Sequence, residues 1–333
     1  MKETATMEEL SADGLGLGGA DVGEVKDPRL SIIIVNWNTR DMLAACLGSI
    51  QTRLEGVVTH EVIVVDNNSA DGSAEMVRSG FPWVKLLESG ENLGFVGGNN
   101  LATRLARGRI LLLLNSDTVL LDSHITKIIN YLDENPDVGV VIGKVLNVDG
   151  SFQRPFRRFP DFRTALANLT VNLIVTMPFL IIEDYNLRRL DEDQEHDVDW
   201  VVGCYLFARR DLLNDGKIFN EKIFMFMEDT LLCHEAREKG YRVVYLPVAP
   251  ITHYGRASTS KVLPRAIRAS FDSSRVYIDK VYGGAAATVF ALGVKLCWWL
   301  FAAGFAVLGT VPHPKIRKKR DLFVALITGA ERC

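Results

Sequence analysis

The sequence predicts an α/β protein: a mostly parallel, Rossmann-like sheet flanked by helices, with an apolar helical tail at the C-terminal end. Two observations support this prediction. Short runs of β-branched and other apolar residues alternate with stretches of helical length, at residues 30–35, 61–65, 84–87, 110–114 and 138–142. Polar residues follow several of these runs directly, at the strand ends where open α/β sheets bind ligands.

The turn after the first run narrows the class of α/β protein. A dinucleotide-binding fold places Gly-x-Gly-x-x-Gly there, so that the backbone can approach a pyrophosphate. Residues 36–39 contain no glycine, and the chain contains no phosphate-binding Gly-x-x-x-x-Gly-Lys-Ser/Thr loop. Asp66, at the end of the second run, could still bind a ribose hydroxyl, so a dehydrogenase stays open as an alternative that the missing glycines disfavour.

The stretch before the fourth run is rich in glycine and asparagine. Residues 91–100 hold three glycines and three asparagines at a strand-to-helix passage. Such a passage lets a ligand approach the backbone closely and offers amide donors to it. A flexible loop with helix-capping asparagines is the alternative explanation.

The fourth run, residues 110–114, consists of five apolar residues and predicts a strand buried on both faces. Asn115 and Asp117 follow it directly. Their side-chain oxygens are ligands that a hard divalent cation prefers. Alternatively, the Ser-Asp turn caps the helix that follows.

The second half of the chain carries three more candidate features. Residues 199–210 predict a strand, and residues 219–227 predict a strand that runs into a helix starting at Glu228 and Asp229. The helix dipole alone stabilises two carboxylates at that position, so the pair does not require a chemical role. Residues 241–246 predict a further strand, which leads to His253 and Arg256. A lone histidine there is commonly structural, whereas an arginine can contact phosphate.

Four motifs, in this order, resemble the nucleotide-sugar half of family 2 glycosyltransferases, most closely the rhamnosyltransferase-like branch. They lie at residues 31–38, 65–73, 92–99 and 114–117. The resemblance covers roughly residues 29–260 and implies a GT-A fold. It implies a nucleotide-sugar half at residues 29–150 and an acceptor half at residues 151–260, joined in one continuous sheet.

The resemblance also implies roles for single residues. Asp229 would deprotonate the acceptor hydroxyl, with Glu228 tuning or orienting it. Asp117, with His253 near the metal or the diphosphate, would hold Mn²⁺ or Mg²⁺. The residues expected to bind the nucleotide sugar are Asn36, Asn38, Asp66, Asn68, Asn92, Gly94, Gly97, Asn99, Asn115 and Arg256. The family's two-acid metal motif has an amide at Asn115 here, a weaker and neutral ligand, so a strict metal requirement stays open.

The two ends of the chain differ from its body in charge and hydropathy. Residues 261–333 hold 12 Lys and Arg against 4 Asp and Glu, whereas the remaining residues hold 26 against 37, for a net charge of −3. Residues 1–28 lack the pattern of a signal peptide and predict a disordered tail. Five scattered cysteines without a Cys-x-x-Cys pair fit a reducing cytosol.

Residues 285–311 are almost wholly apolar and long enough to cross a bilayer, but Lys295 would be costly at its centre. Basic residues lie on both sides of the segment. We therefore expect residues 261–333 to form a helix or helical hairpin on the cytoplasmic face of the cell membrane. A buried docking or dimer helix is the alternative. Nucleic acid is not an expected partner, because the basic residues flank an apolar segment without interleaved aromatics.

An apolar stretch in the acceptor half, residues 169–182, is interrupted by Pro178 and by polar residues. It is too interrupted for a membrane span. An acceptor-side lid, an interfacial segment and an ordinary core helix all remain open for it.

Together these features predict an inverting glycosyltransferase that uses a nucleoside-diphosphate sugar, with rhamnose suggested only by the family. The membrane-associating tail favours a polyprenyl-linked or other cell-envelope glycan as the acceptor. A nucleotide-sugar-binding protein without transfer activity is the main alternative, because Asn115 weakens the metal motif. A nucleotidyltransferase is disfavoured by the absent phosphate loop.

Overall fold

The computed structural model describes residues 26–170, 185–255, 263–308 and 314–328. In the first half, helices and strands alternate along the chain as the sequence predicts. The strands are β1 (Leu30–Asn36), β2 (His60–Asp66), β3 (Lys85–Glu88), β4 (Ile110–Asn115), β5 (Thr118–Leu120), β6 (Val138–Ile142) and β7 (Val145–Leu146). The helices are α1 (Arg40–Leu54), α2 (Ser73–Gly80), α3 (Gly94–Thr103) and α4 (Ile125–Glu134).

The second half adds short strands and then a helical C-terminal part. Its strands are β8 (Phe156–Arg157), β9 (His196–Asp197), β10 (Trp200–Val201), β11 (Tyr205–Arg209), β12 (Arg242–Tyr245) and β13 (Ile251–His253). Its helices are α5 (Phe162–Leu169), α6 (Glu228–Glu238), α7 (Leu263–Tyr282), α8 (Gly284–Leu308) and α9 (Pro314–Thr328).

An eight-stranded sheet with the order β3-β2-β1-β4-β11-β6-β12-β9 forms the centre of the fold. Strand β1 pairs in parallel with both β2 and β4, and its register sets Asn36 beside Asp66 and Val35 beside Asn115. The polar residues that follow the first, second and fourth apolar runs of the sequence therefore meet at one edge of the sheet. The mostly parallel α/β sheet predicted from the sequence is confirmed.

Apolar side chains bury the middle of this sheet on both faces. Residues 32–34 of β1 and 111–113 of β4 are fully buried, which matches their unbroken apolar sequence. The antiparallel strand β11 lies between β4 and β6 and joins the two halves in one sheet, with Tyr205 opposite Leu114. The polar edge of the first half is thus fixed to the residues that follow β11.

Two predicted strands of the second half are wrong in detail. Residues 199–210 form two strands in different sheets: β10 pairs with β8, and β11 belongs to the eight-stranded sheet. Between them the backbone N–H of Gly203 donates to Asp229. Residues 219–227 form a loop instead of a strand. We refer to residues 220–227 as the 220–227 loop. Phe226 and Met227 have φ angles of 68° and 65°, which a strand does not contain. The helix that begins at Glu228 is confirmed.

Helix α8 matches the predicted apolar segment and packs one face on the α/β part of the protein. Phe290 and Val294 are fully buried, and the Trp298 indole N–H donates to the carbonyl of Leu169 at 2.7 Å. Within the described part of the chain, one stretch, Gly284–Ala306, is long and apolar enough to cross a membrane, and most of it is not buried in the protein.

Three predictions fall on residues outside those ranges. They are the N-terminal tail up to residue 25, most of the apolar stretch 169–182, and Arg256.

Candidate active site

A buried hydrogen-bond network joins the ends of β1 and β2. The Asn36 amide donates to Asp66 Oδ1 at 3.0 Å and to Ser69 Oγ at 3.1 Å, and the backbone N–H of Ser69 donates to Asp66 Oδ2 at 2.8 Å. Thr39 Oγ1 donates to Asn36 Oδ1 at 2.6 Å. Asn36 and Asp66 are almost fully buried, so these bonds fix both side chains before any ligand arrives.

Two asparagines shape the turns at this edge. Asn38 and Asn68 have φ angles of 54° and 59°, in the left-handed region that asparagine tolerates better than most residues. Asn38 Oδ1 accepts the N–H of Ala70 at 2.8 Å, whereas the side chain of Asn68 is exposed. Asn38 therefore ties the first turn to the second, and Asn68 is open to a ligand.

The glycine-rich passage is packed rather than loose. Asn92 Oδ1 accepts the N–H of Gly94 at 2.9 Å at the start of α3, while the Asn99 amide donates to the carbonyl of Phe95 at 2.8 Å inside the helix. Gly94 has a φ of 72°, and a Cβ there would lie 2.6 Å from the Phe224 ring. A Cβ at Gly97 would lie 2.9 Å from Leu93. Close packing explains both glycines.

Asp117 and His253 come together although 136 residues separate them. Strand β13 pairs with β5 so that His253 lies opposite Thr118, and His253 Nε2 is 3.4 Å from Asp117 Oδ1. The other ring nitrogen, Nδ1, is 2.6 Å from Gln153 Oε1, which can only accept a hydrogen bond. Nδ1 therefore carries a proton, and Nε2 is the ring nitrogen that faces Asp117.

This donor set fits a divalent cation. Asn115 Nδ2 lies 3.5 Å from His253 Nε2, so the Asn115 amide lies beside the Asp117–His253 pair. Within the described residues, no group of three or more His, Cys, Asp or Glu side chains is arranged to hold a metal. Magnesium in nucleotide sites usually takes one or two protein ligands and completes its shell with phosphate and water. Asp117 and His253 supply that number.

His253 is also strongly perturbed electrostatically. Burial disfavours its charged form, yet hydrogen bonding to Asp117 and to the Cys204 thiol outweighs burial and raises its pKa to about 10. Without a metal, His253 is therefore cationic at neutral pH and neutralises Asp117. A divalent cation would replace that proton.

The acidic pair, Glu228 and Asp229, lies at the start of α6. Asp229 Oδ2 accepts the backbone N–H of Gly203 at 3.0 Å, and its Oδ1 accepts the N–H of Thr230 at 2.7 Å. The Oε2 of Glu228 is buried and has no hydrogen-bond partner within the structure. Two backbone donors thus orient the Asp229 carboxylate, while one carboxylate oxygen of Glu228 has no such donor among the described residues.

Both carboxyl groups are harder to ionise than usual. Burial, followed by the charge of Asp229, raises the pKa of Glu228 well above its ordinary value. Burial also raises the pKa of Asp229, although the N–H groups of Gly203 and Thr230 oppose the rise. Glu228 receives a hydrogen bond from its own backbone N–H, whereas Asp229 receives those of Gly203 and Thr230 and lies near the Arg157 cation. Because Asp229 has more groups that stabilise its charge, the first negative charge of the pair belongs to Asp229 and the proton stays on Glu228.

One cavity of about 450 Å³ brings these groups together. It is lined by Asn115, Asp117, His253, Glu228 and Asp229 among others. The network at Asn36 and Asp66 lies at the same sheet edge but does not line this cavity. The sequence therefore locates two neighbouring parts of one site, a polar edge and a carboxylate-lined cavity.

Several residues that orient the side chains of the site could not be identified individually from the sequence. Gly203, Thr230 and Gln153 orient the candidate residues, and Gln153 reaches His253 across 100 positions of the chain. Trp200 also lines the cavity, and the sequence marks it only through the Trp-x-x-Gly pattern at residues 200–203 that precedes the acidic pair. Backbone donors and long-range contacts leave no local pattern, so only the fold could reveal them.

The sheet, with a carboxylate, a histidine and an acidic pair lining one cavity, has the GT-A fold of glycosyltransferases, as its likeness to solved structures shows. The sequence profile of glycosyl transferase family 2 matches residues 31–213. The chain belongs to this family, as the motifs predicted.

Relatives and solved structures agree with that assignment. An N-acetylglucosaminyl-diphospho-decaprenol L-rhamnosyltransferase of Mycobacterium tuberculosis is 25% identical over 268 residues, covering 77% of this chain and 85% of that protein. The succinoglycan biosynthesis protein ExoO of Rhizobium meliloti is 30% identical, covering 72% and 64%. The mannosyltransferase PcManGT of Pyrobaculum calidifontis, solved with GDP-Man and Mn²⁺, has a TM-score of 0.53 at 18% identity, covering 95% of this chain and 91% of that one. The similarity to this mannosyltransferase structure shows that the two chains share a fold.

Proposed function

We propose that the protein is an inverting, metal-assisted glycosyltransferase that moves a sugar from a nucleoside-diphosphate sugar to a hydroxyl of a lipid-linked glycan. One observation carries the proposal. Asp229, oriented by two backbone donors, lines the same 450 Å³ cavity as the Asp117–His253 pair. A base and a candidate cation site thus face one space, as direct displacement of a diphosphate requires.

Asp229 is the general base of the proposed reaction. The acceptor hydroxyl gives its proton to Asp229 while its oxygen forms a bond to the anomeric carbon. The bond from that carbon to the diphosphate oxygen breaks on the opposite face, and its electron pair leaves with the nucleoside diphosphate. Glu228 keeps its proton and prevents a second charge from building up beside the base. No enzyme nucleophile is needed, so the anomeric configuration inverts.

Asp117 and His253 are the proposed ligands of Mn²⁺ or Mg²⁺. When bound, such a cation neutralises charge that develops on the leaving diphosphate. Gln153 fixes the ring of His253 with Nε2 facing Asp117, as outer hydrogen-bond partners of metal-bound histidines do. Asn115 contributes an amide that orients the pair without adding charge.

The donor side is assigned to the polar edge. Asp66 and Asn36, buried and mutually bonded, form the wall against which the nucleoside packs, and the exposed Asn68 borders it. The mycobacterial relative is named for rhamnosyl transfer to a decaprenyl-diphosphate-linked sugar. By analogy we propose a deoxyhexose donor such as dTDP-rhamnose, a polyprenyl-linked acceptor, and a location on the cytoplasmic face of the cell membrane.

The first test measures nucleoside diphosphate release from a panel of nucleotide sugars with membrane lipid extract as the acceptor source. We expect one donor to be turned over, and Asp229→Asn to lower kcat by about 10²–10⁴-fold, the range for loss of a general base. The donor dissociation constant should not change. Asp211→Asn, an exposed carboxylate outside the cavity, is the matched control.

Undiminished turnover by Asp229→Asn would reject the mechanism. Donor binding without release, for every donor and lipid extract, would instead favour a nucleotide-sugar-binding protein. Retention of the anomeric configuration in the product would reject the direct displacement.

A second test addresses the cation through binding rather than turnover. Mn²⁺ affinity is measured by electron paramagnetic resonance in the presence of nucleoside diphosphate. Asp117→Ala and His253→Ala should each weaken it, whereas Asp122→Ala should not, although Asp122 also pairs with a histidine, His124, at 2.8 Å. Equal Mn²⁺ affinity in all variants would remove the metal from the proposal.

A further inference from the structure

A basic groove runs between α7 and α8, away from the active site. Its volume is about 590 Å³, and its charged walls carry four cations and one carboxylate: Lys222, Arg275, Lys280, Lys295 and Asp279. Lys280 pairs with Glu238 at 3.1 Å. Within the described residues, Lys222, Arg275 and Lys295 have no carboxylate within ion-pair distance. Three of the four cations of the groove therefore have no carboxylate among the described residues that neutralises their charge.

An apolar stripe borders this groove. It consists of five side chains on the solvent-facing side of α8, which are 52–64% exposed: Val289, Leu292, Leu296, Trp299 and Leu300. The first four are spaced by three, four and three residues, and Leu300 lies four residues after Leu296, so all five share one face of the helix. Leu292 lines the groove as well, so the apolar and the basic surfaces are continuous. Soluble monomers rarely expose such a stripe without a partner.

We propose that the groove binds the phosphate of an anionic phospholipid headgroup while the stripe lies among the acyl chains at the membrane interface. This inference rests on the proposed function, because it identifies the surface on which the lipid-linked acceptor would be met. Cations beside an exposed apolar helix face complement an anionic membrane surface. A second copy of the chain fits less well, since a symmetric contact through this face would bring the same cations together.

The packing of α8 favours a helix that lies on the membrane surface over a helix that crosses the bilayer. Its opposite face is bound to the catalytic domain, through the Trp298 hydrogen bond to Leu169 and through Phe290, whose ring lies 5.8 Å from that of Phe162. Crossing the bilayer would pull helix α5 into hydrocarbon or break these contacts. Lying in the interface keeps them and leaves Lys295 among the headgroups.

The groove is linked to the active site by one loop. Asn220 and Lys222 of the 220–227 loop line the groove, and Met225, Phe226 and Met227 line the catalytic cavity. Ser273 of α7 donates to the carbonyl of Met225 at 2.8 Å. A headgroup in the groove therefore contacts the loop that leads into Glu228 and Asp229, and the site lies close to the membrane surface.

The test is flotation of the full chain with vesicles of phosphatidylcholine alone or with 30% phosphatidylglycerol, without any donor. The charge variant is Lys222→Gln/Arg275→Gln/Lys295→Gln. Its matched control is Arg53→Gln/Arg104→Gln/Lys127→Gln, three exposed cations on the nucleotide-sugar half. Each basic residue near an anionic surface contributes roughly fivefold, so we expect the charge variant to bind anionic vesicles about 100-fold more weakly and the control to bind normally.

A second pair of variants probes the apolar stripe. Leu292→Ser/Trp299→Ser should lose binding to both vesicle types, whereas Val148→Ser, at a position 65% exposed elsewhere, should bind normally. The proposal is overturned if wild type does not float with anionic vesicles, or if the charge variant floats like wild type. It is also overturned if the stripe variant abolishes a dimer seen by light scattering, which would assign the stripe to a second copy.

These outcomes separate the two proposals. Groove-dependent flotation together with no turnover of any donor would reject only the transfer reaction. Turnover on a detergent-dispersed acceptor, with flotation that ignores the three cations, would reject only the lipid site.

Discussion

The two sides of the site differ in how their buried polar groups are satisfied. On the donor side, Asn36 and Asp66 are fully bonded to each other and to Ser69. On the acceptor side, Glu228 has a buried oxygen without a partner, and the pKa values of both acids are raised. The proposed donor side is therefore fixed before any ligand binds, whereas the proposed acceptor side holds carboxyl groups in an environment that disfavours their charge.

The backbone shows the same contrast. The left-handed residues of the donor side, Asn38 and Asn68, are of a type that tolerates this conformation. Those of the acceptor side, Phe226 and Met227, are large side chains for which it costs energy. This cost falls directly before the acidic pair. The packing of the 220–227 loop against Gly94 and Ser273 must hold it in place.

Breaking the donor network should have the largest effect on stability. Asp66→Ala removes the acceptor for the Ser69 N–H and one of two acceptors for the Asn36 amide, both in a buried setting. We expect a loss of about 3 kcal/mol in the free energy of unfolding, since each unpaired buried group costs about 1–3 kcal/mol. Urea denaturation measures the loss, and donor affinity should fall with it.

The conservative variant Asp66→Asn is the control for that experiment. It retains a side-chain oxygen for one of the two donors, so its loss should be clearly smaller. Equal losses for alanine and asparagine would show that the charge of Asp66, rather than its hydrogen bonds, holds the donor side together.

The sequence revealed the donor side because that side is built locally. Unbroken apolar runs ending in Asn36, Asp66 and Asn115 predict parallel strands, and the common edge of such strands brings these three residues together. The acceptor side depends on contacts between distant segments. The donation from Gly203 to Asp229 and the contact of Gln153 with His253 have no counterpart in any local pattern. Residues 219–227, of which six are apolar, predict a strand because two left-handed residues cannot be recognised from composition.

The junction of the two sides can be tested at Gly94. A Cβ there would approach the Phe224 ring and carbonyl oxygen to 2.6 and 2.7 Å, whereas a Cβ at Gly90, with the same φ of 72°, would meet nothing. Gly90→Ala therefore measures backbone strain alone, about 1 kcal/mol. We expect Gly94→Ala to lose about 2 kcal/mol in total, because overpacking adds to that strain.

Turnover distinguishes a local clash from a displaced loop. Because Phe224 belongs to the 220–227 loop, Gly94→Ala should also lower kcat, while Gly90→Ala should leave it unchanged. If both variants lose the same stability and neither loses turnover, the two sides of the site are not coupled through this contact.

The smallest effect is expected at Glu228, and its sign depends on pH. The native pKa of Glu228 lies above its unfolded value, so the folded protein binds more protons from about pH 4 upward. Wild-type stability therefore falls as pH rises through that window, whereas a glutamine does not titrate. Glu228→Gln should equal wild type at pH 4 and exceed it at pH 8 by about 1 kcal/mol, the scale of one unpaired buried group. Parallel stability curves from pH 4 to pH 8 would mean that Glu228 ionises normally, and the acceptor side would then be as well satisfied as the donor side.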